Sequence, residues 1–195
     1  MSEGGGIRMV VVGTSLGGMS ALEIILRELM PDFPLPIAVV QHRGIDPAAQ
    51  SELASLLQMH SAVPIVEAGD KDPIRGGTVY LAPSDYHLLV DGDRFALSID
   101  ARVCHARPAI DVLFESAADS YGAALLALLL TGASADGTAG AQRVKERGGV
   151  VVAQDPKTAE SAVMPQSAIR AGVVDRVMPL KEIAAYLNVA SVKHR

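Results

Sequence analysis

Apolar positions along this chain fall into short dense runs that alternate with stretches of helical spacing. Ile7 to Val12 is almost wholly apolar and predicts a buried strand. Ser20 to Met30 places Leu22, Ile25, Leu26 and Leu29 on one face of a helix, which Pro31 closes. Ile37 to Val40 predicts a second strand, Pro47 to Met59 a helix with Leu53, Leu56 and Leu57 inward, and Pro64 to Val66 a short third strand. This βαβαβ order predicts a parallel sheet covered by helices.

The middle third reads differently. Gly76-Gly77 and Asp91-Gly92 bracket short β-rich runs at Thr78 to Leu81, His87 to Val90 and Phe95 to Ser98, which predict an antiparallel hairpin insertion at a sheet edge. Helix resumes at Ala109 to Tyr121, followed by a strand at Ala123 to Leu130, a helix near Gly137 to Arg147 and a strand at Val150 to Ala153. A helix at Pro165 to Ala171, a strand at Val173 to Val177 and a helix at Leu180 to Leu187 complete the pattern. The fold class is therefore α/β, a doubly wound, mostly parallel sheet. Residues 1–6 read as a flexible extension and 7–195 as one domain.

Composition sharpens this picture. Of 195 residues, 49% are apolar and 20% charged, which suits elements buried on both faces. The net charge of −5 gives no broad attraction to nucleic acid or an anionic membrane. The apolar run from Ala123 to Leu130 has eight residues, against the roughly 20 needed to span a bilayer. A single cysteine, Cys104, leaves no intramolecular disulfide, and the glycine-rich start has no secretory pattern, so a cytoplasmic location is expected. Cys104 reads as a small semi-buried side chain. The histidines show no metal-ligand spacing, so neither metal nor cofactor is expected.

Gly13-Thr14-Ser15-Leu16-Gly17 satisfies G-x-S-x-G, with a strand entering and a helix leaving. Such a bend raises a serine hydroxyl above the sheet, while the glycines admit the turn and the following helix offers free N–H groups. A phosphate cradle would want the same features. The dinucleotide form of that cradle needs G-x-G-x-x-G and an acidic residue ending the second strand, whereas here the glycines are Gly13, Gly17 and Gly18 and the strand ends in Gln41-His42. A purely structural turn stays open on this stretch alone.

His42, at the carboxyl end of the next strand, is where a base for Ser15 would stand; its other role is a plain strand-end cap. The strand ending at Leu130 leads into Thr131-Gly132-Ala133-Ser134-Ala135-Asp136-Gly137. Asp136 reads as the N-cap of the helix that follows, as the residue orienting His42, or as both. The chain order Ser, His, Asp differs from that of α/β-hydrolases and of trypsin-like or subtilisin-like proteases.

At these residues the sequence resembles the catalytic domain of the chemotaxis protein-glutamate methylesterases, the CheB family. The resemblance runs from about Ile7 to Leu187 and rests on Gly13-Thr14-Ser15-Leu16-Gly17-Gly18, Gln41-His42, Ala82-Pro83-Ser84-Asp85-Tyr86-His87, Arg107-Pro108-Ala109-Ile110-Asp111, Thr131 to Gly137 and Ala153 to Ala159. It implies a serine hydrolase that demethylates glutamate γ-esters on cytoplasmic chemoreceptor helices with release of methanol, and in some members deamidates glutamines. Ser15 is then the nucleophile, His42 the general base and acid, and Asp136 the orienting residue. The backbone N–H groups of Leu16, Gly17 and Ala133 are expected at the oxyanion, with Arg43 and Arg107 near the substrate. Arg102 joins those two in an expected basic patch.

The sequence departs from the family in several places. Leu16 replaces a small or hydroxyl residue, Ala133-Ser134 replaces Met-Gly, Arg43-Gly44 replaces Met-Pro, and His105 stands one position early. These changes bear on rate and substrate choice. Two other readings remain beside this one, a non-catalytic chemosensory binding module and an esterase for another ester. A monomer is expected. The short start leaves no room for a receiver domain, so activity without phosphorylation is expected.

Overall fold

The computed structural model describes residues 6–42 and 50–192, with side chains of the second stretch from Leu53 onward. The first half is built from β1 (Met9–Thr14), α1 (Gly18–Arg27), β2 (Ile37–Gln41), α2 (Gln50–Gln58), β3 (Ile65–Glu67), β4 (Val79–Leu81), β5 (His87–Asp91) and β6 (Arg94–Ser98). The second half follows as α3 (Ile110–Tyr121), β7 (Leu125–Leu129), α4 (Thr138–Glu146), β8 (Val150–Gln154), α5 (Val163–Arg170), β9 (Arg176–Met178) and α6 (Leu180–Val192). The start expected for α2 at Pro47 lies outside the described residues, as does the expected extension apart from Gly6.

Seven strands form one sheet in the order β3-β4-β2-β1-β7-β8-β9, and every pairing within it is parallel. The unbroken apolar runs follow from this placement, because a central strand must satisfy two apolar layers at once. In β1, Met9 and Val11 face the layer with α3, while Val10 and Val12 face the layer with α1. One layer sets Leu22, Ile25 and Leu26 of α1 with Leu57 of α2 and Ile183 and Leu187 of α6. The opposite layer sets Leu113 and Phe114 of α3 with Val144 of α4, Ala168 of α5, and Leu88 and Phe95 of the hairpin.

The run at Thr78 to Leu81 corrects the sequence reading. It supplies β4, which lies inside the parallel sheet between β2 and β3, and only β5 and β6 form the antiparallel pair. Gly76 therefore closes no hairpin. Its backbone passes so close to Pro34 that a Cβ there would stand 2.3 Å from the Pro34 carbonyl oxygen, and this approach aims Val79, Tyr80 and Leu81 into the core. The final strand also starts later than expected, at Arg176, and the last helix runs on to Val192. No helix among the described residues is long and apolar enough to cross a membrane.

Chain order and sheet order together locate the site. From β1 the chain moves to β2 on one side and later returns to β7 on the other, so the crevice at the carboxyl ends of these strands is a topological switch point. Ser15 follows β1, His42 follows β2, and Asp136 stands in the loop after β7.

Candidate active site

The bend carrying Ser15 is held by its backbone. Ser15 N–H donates to the Thr131 carbonyl at 3.0 Å, and the Ser15 carbonyl accepts from Gly18 N–H and from Gln41 Nε2, each at 2.9 Å. Thr14 Oγ1 donates to the same Thr131 carbonyl, and Thr131 Oγ1 donates back to the Leu16 carbonyl. Thr131 N–H in turn donates to Gln154 Oε1. The loops after β1, β2, β7 and β8 are thus tied into one network that leaves the Ser15 side chain half-buried at a cavity of about 390 Å³ shared with Leu16, Gln41 and His42. Among the described residues no acceptor meets the backbone N–H of Leu16, Gly17 or Ala133.

Gly17 sits in the left-handed region at φ 79 and begins α1 as its N-cap, and a Cβ there would approach Glu160 Cβ to 2.6 Å. Both the backbone angle and the contact exclude a side chain. Gly17→Ala should cost at least about 1–2 kcal/mol from the backbone angle alone, with the Glu160 contact adding to it, and lower Tm by several degrees or more, which a thermal melt beside the unsubstituted protein measures.

His42 Nε2 lies 2.7 Å from Asp136 Oδ2, with the carboxylate fully buried and the imidazole 14% exposed. His42 N–H donates to the Thr14 carbonyl, which docks the end of β2 against the serine bend. Asp136 thus meets the imidazole at Nε2, the reverse of the trypsin-type arrangement, in which the carboxylate holds Nδ1.

Asp136 does cap a helix, but not the one expected. The N-cap of α4 is Gly137, whose own geometry provides no side-chain cap. Asp136 Oδ2 accepts from Ile110 N–H at 2.7 Å and Oδ1 from Asp111 N–H at 2.9 Å, so it caps the first turn of α3. Asp111 returns the exchange: its Oδ1 accepts from Gly137 N–H at 2.9 Å and Gly140 N–H at 2.7 Å at the start of α4. Two helix N-termini, each with unsatisfied donors, are cross-clamped by two carboxylates.

These environments push the two carboxyls apart. Burial raises Asp111 to about 6, and the Asp136 charge adds to this against the opposing Gly140 and Gly137 N–H groups. Burial also acts to raise Asp136, but the bonds from His42, Ile110 and Asp111 and the His42 charge outweigh it and hold that carboxyl below its usual range. Because the folded state favours protonated Asp111, the protein loses stability as pH rises from the ordinary value of 3.8 toward about 6. Asp111→Asn keeps an acceptor without the charge. The Tm of this variant relative to the unsubstituted protein should therefore climb between about pH 4 and about pH 7; a constant difference in thermal melts across that range contradicts the assignment.

Asp111, Asp136 and Cys104 also bring possible ligand atoms within 4.8 Å of one another. Both Asp136 oxygens and Asp111 Oδ1 are already occupied by N–H donors, so this donor set serves the helix ends. Burial and then the two carboxylate charges raise the Cys104 thiol, although the residue as a whole is exposed.

A second cavity, of about 350 Å³, also borders His42 and is lined by Arg102, Cys104, His105 and Arg107. The Arg107 guanidinium binds Asp85 at 2.8 Å and donates to the carbonyls of Ile99 and Asp100, so its first task is to pin the loop before α3. Arg102 approaches Asp85 at 3.5 Å and is 45% exposed. Arg43 and Gly44 lie outside the described residues. His87 is structural, its Nδ1 accepting from Ala109 N–H and its Nε2 facing the Ala101 carbonyl. Gln41, Thr131 and Asp111 stand in the quoted sequence motifs, yet their roles as loop ties and helix clamp came only from the folded contacts.

The sequence pattern of the CheB methylesterase family matches residues 10–187. A protein of Leptospira interrogans is 46% identical over 176 residues, 90% of each chain. A protein-glutamate methylesterase/protein-glutamine glutaminase of a Nocardioides species is 43% identical over 92% of this chain and 49% of its own length. The crystal structure of the Thermotoga maritima CheB methylesterase catalytic domain superposes with a TM-score of 0.89 at 37% identity, covering 94% of this chain and 98% of that one.

Proposed function

Because this chain belongs to the CheB methylesterase family, we propose that it is a cytoplasmic serine hydrolase that demethylates glutamate γ-methyl esters on chemoreceptor helices. The observation that carries the mechanism is the 2.7 Å contact between His42 Nε2 and buried Asp136, formed beside the strand end that bears Ser15. His42 Nδ1 accepts the Ser15 proton as Oγ attacks the γ-carbonyl carbon. The tetrahedral oxyanion is met by the backbone N–H groups of Leu16, Gly17 and Ala133, donors whose value is independent of their side chains. Collapse expels methoxide, which takes the proton from His42 and leaves as methanol. Water, deprotonated by His42, then attacks the acyl-serine and frees the glutamate carboxylate and Ser15.

The same cycle on a glutamine side chain expels ammonia and yields glutamate, and the double activity named for the Nocardioides relative supports this second substrate. Arg102, on the rim of the cavity beside His42, gives an acidic receptor helix a cation to approach. Leu16, 55% exposed, adds an apolar contact next to the nucleophile. Methanol release from a methylated receptor fragment tests the reading: steady release by the purified protein supports it, and none over hours at micromolar enzyme refutes it. A flat pH–rate profile with chemistry rate-limiting counts against a histidine base.

A further inference from the structure

The site contains a buried carboxylate that the reaction does not use. Asp111 is 6% exposed and belongs to α3, whereas the nucleophile, base and orienting carboxylate come from the loops after β1, β2 and β7. Its contacts are directed at one target. Oδ1 takes the N–H of Gly137, the residue immediately after Asp136, and the N–H of Gly140 one turn on. Its own N–H is one of the three donors that fix the Asp136 carboxylate.

The backbone around these contacts has no slack. Gly137 lies at φ 94, and a Cβ there would stand 2.4 Å from Leu129 Cδ2 and 2.8 Å from Ile110 Cγ2. A Cβ on Gly140 would meet the Asp111 backbone at 3.0 Å. Helices α3 and α4 therefore touch almost backbone to backbone, and the two carboxylates are what join their first turns. Moving either helix end moves Asp136 relative to His42.

We propose that Asp111 is a positioning residue for the hydrolytic reaction: by clamping Gly137 and Gly140 it fixes the loop that presents Asp136 to His42. The inference rests on the reading of Ser15, His42 and Asp136 given above. The groups facing Asp111 are Asp136 from the loop after β7, Cys104 from the loop before α3, with Sγ 4.0 Å from Asp111 Oδ2, and His42 through Asp136.

The test compares Asp111→Ala and Asp111→Asn with the unsubstituted protein and with Ser15→Ala, in the methanol assay and by proton NMR of the imidazole N–H shared by His42 and Asp136. The alanine variant loses the clamp, so kcat should fall about 100-fold, the cost of a misplacement near 1 Å. KM should stay within about twofold, since Asp111 touches no substrate, and the shared proton signal should broaden or vanish. The asparagine variant keeps an acceptor for the N–H groups of Gly137 and Gly140, so kcat and the proton signal should recover. An alanine variant that folds, keeps the proton signal and turns over like the unsubstituted protein overturns the inference, as does an asparagine variant that falls as far as alanine. Should the alanine variant not fold, the asparagine variant decides alone: kcat and a proton signal like those of the unsubstituted protein support the inference, and their loss overturns it. Full activity in Ser15→Ala would instead remove the parent reading.

Discussion

Ser15→Ala should abolish methanol release, with turnover down by at least about 10⁴-fold, the scale set by removing a nucleophile whose partners act as a unit. The fold should survive, because Ser15 joins the bend through its own backbone groups: its N–H donates to Thr131, and its carbonyl accepts from Gly18 N–H and Gln41 Nε2. No core contact depends on the hydroxyl. Tm should therefore remain within about 2 °C of the unsubstituted protein. Turnover measured beside a thermal melt separates the two effects, and a variant that loses activity only by melting would assign Ser15 to structure.

Asp136→Asn should be nearly as damaging, and on two counts. The carboxylate accepts from His42, Ile110 N–H and Asp111 N–H, whereas an amide has one accepting oxygen and one donating nitrogen. Whichever way the amide turns, its NH2 faces a backbone N–H of α3. With nitrogen toward Ile110 it also forces His42 into the wrong tautomer, which in the serine-protease template costs about 10⁴-fold in kcat. With nitrogen toward Asp111 the imidazole keeps an acceptor, but the buried clash remains and the imidazolium loses its counter-charge. Either orientation should also destabilise the protein by about 1–3 kcal/mol. Urea melts and kcat taken on the same preparation read both losses; a stability change without a kinetic one would contradict the role given to Asp136.

Period and punctuation made most of the sheet legible. Continuous apolar runs such as Met9 to Val12 announce strands covered on both faces, and the strand ends then place Ser15, His42 and Asp136 in one crevice before any coordinate is known. Where the reading failed, the deciding contact was remote. Val79 to Leu81 is short and follows two glycines, which resembles a hairpin arm, and only the approach of Gly76 to Pro34 reveals a buried parallel strand. Asp136 stands just before a helix and so resembles its cap, yet its partners are the N–H groups of Ile110 and Asp111, 26 and 25 positions earlier. Thr131 reaches Leu16 across 115 positions and Gln41 reaches Ser15 across 26. Such ties leave no local periodicity, because the geometry that makes them exists only after the sheet has assembled.

A covalent intermediate is the sharpest consequence of the mechanism. A methylated receptor fragment mixed with the protein, quenched with acid within the first turnover and digested, should yield the peptide containing Ser15 ester-linked to the receptor peptide that carries the glutamate, with the mass of methanol lost. This adduct should be absent from Ser15→Ala. Methanol release at the unsubstituted rate with no acyl group on Ser15 at any quench time, and with turnover persisting in Ser15→Ala, would contradict a serine mechanism at this site.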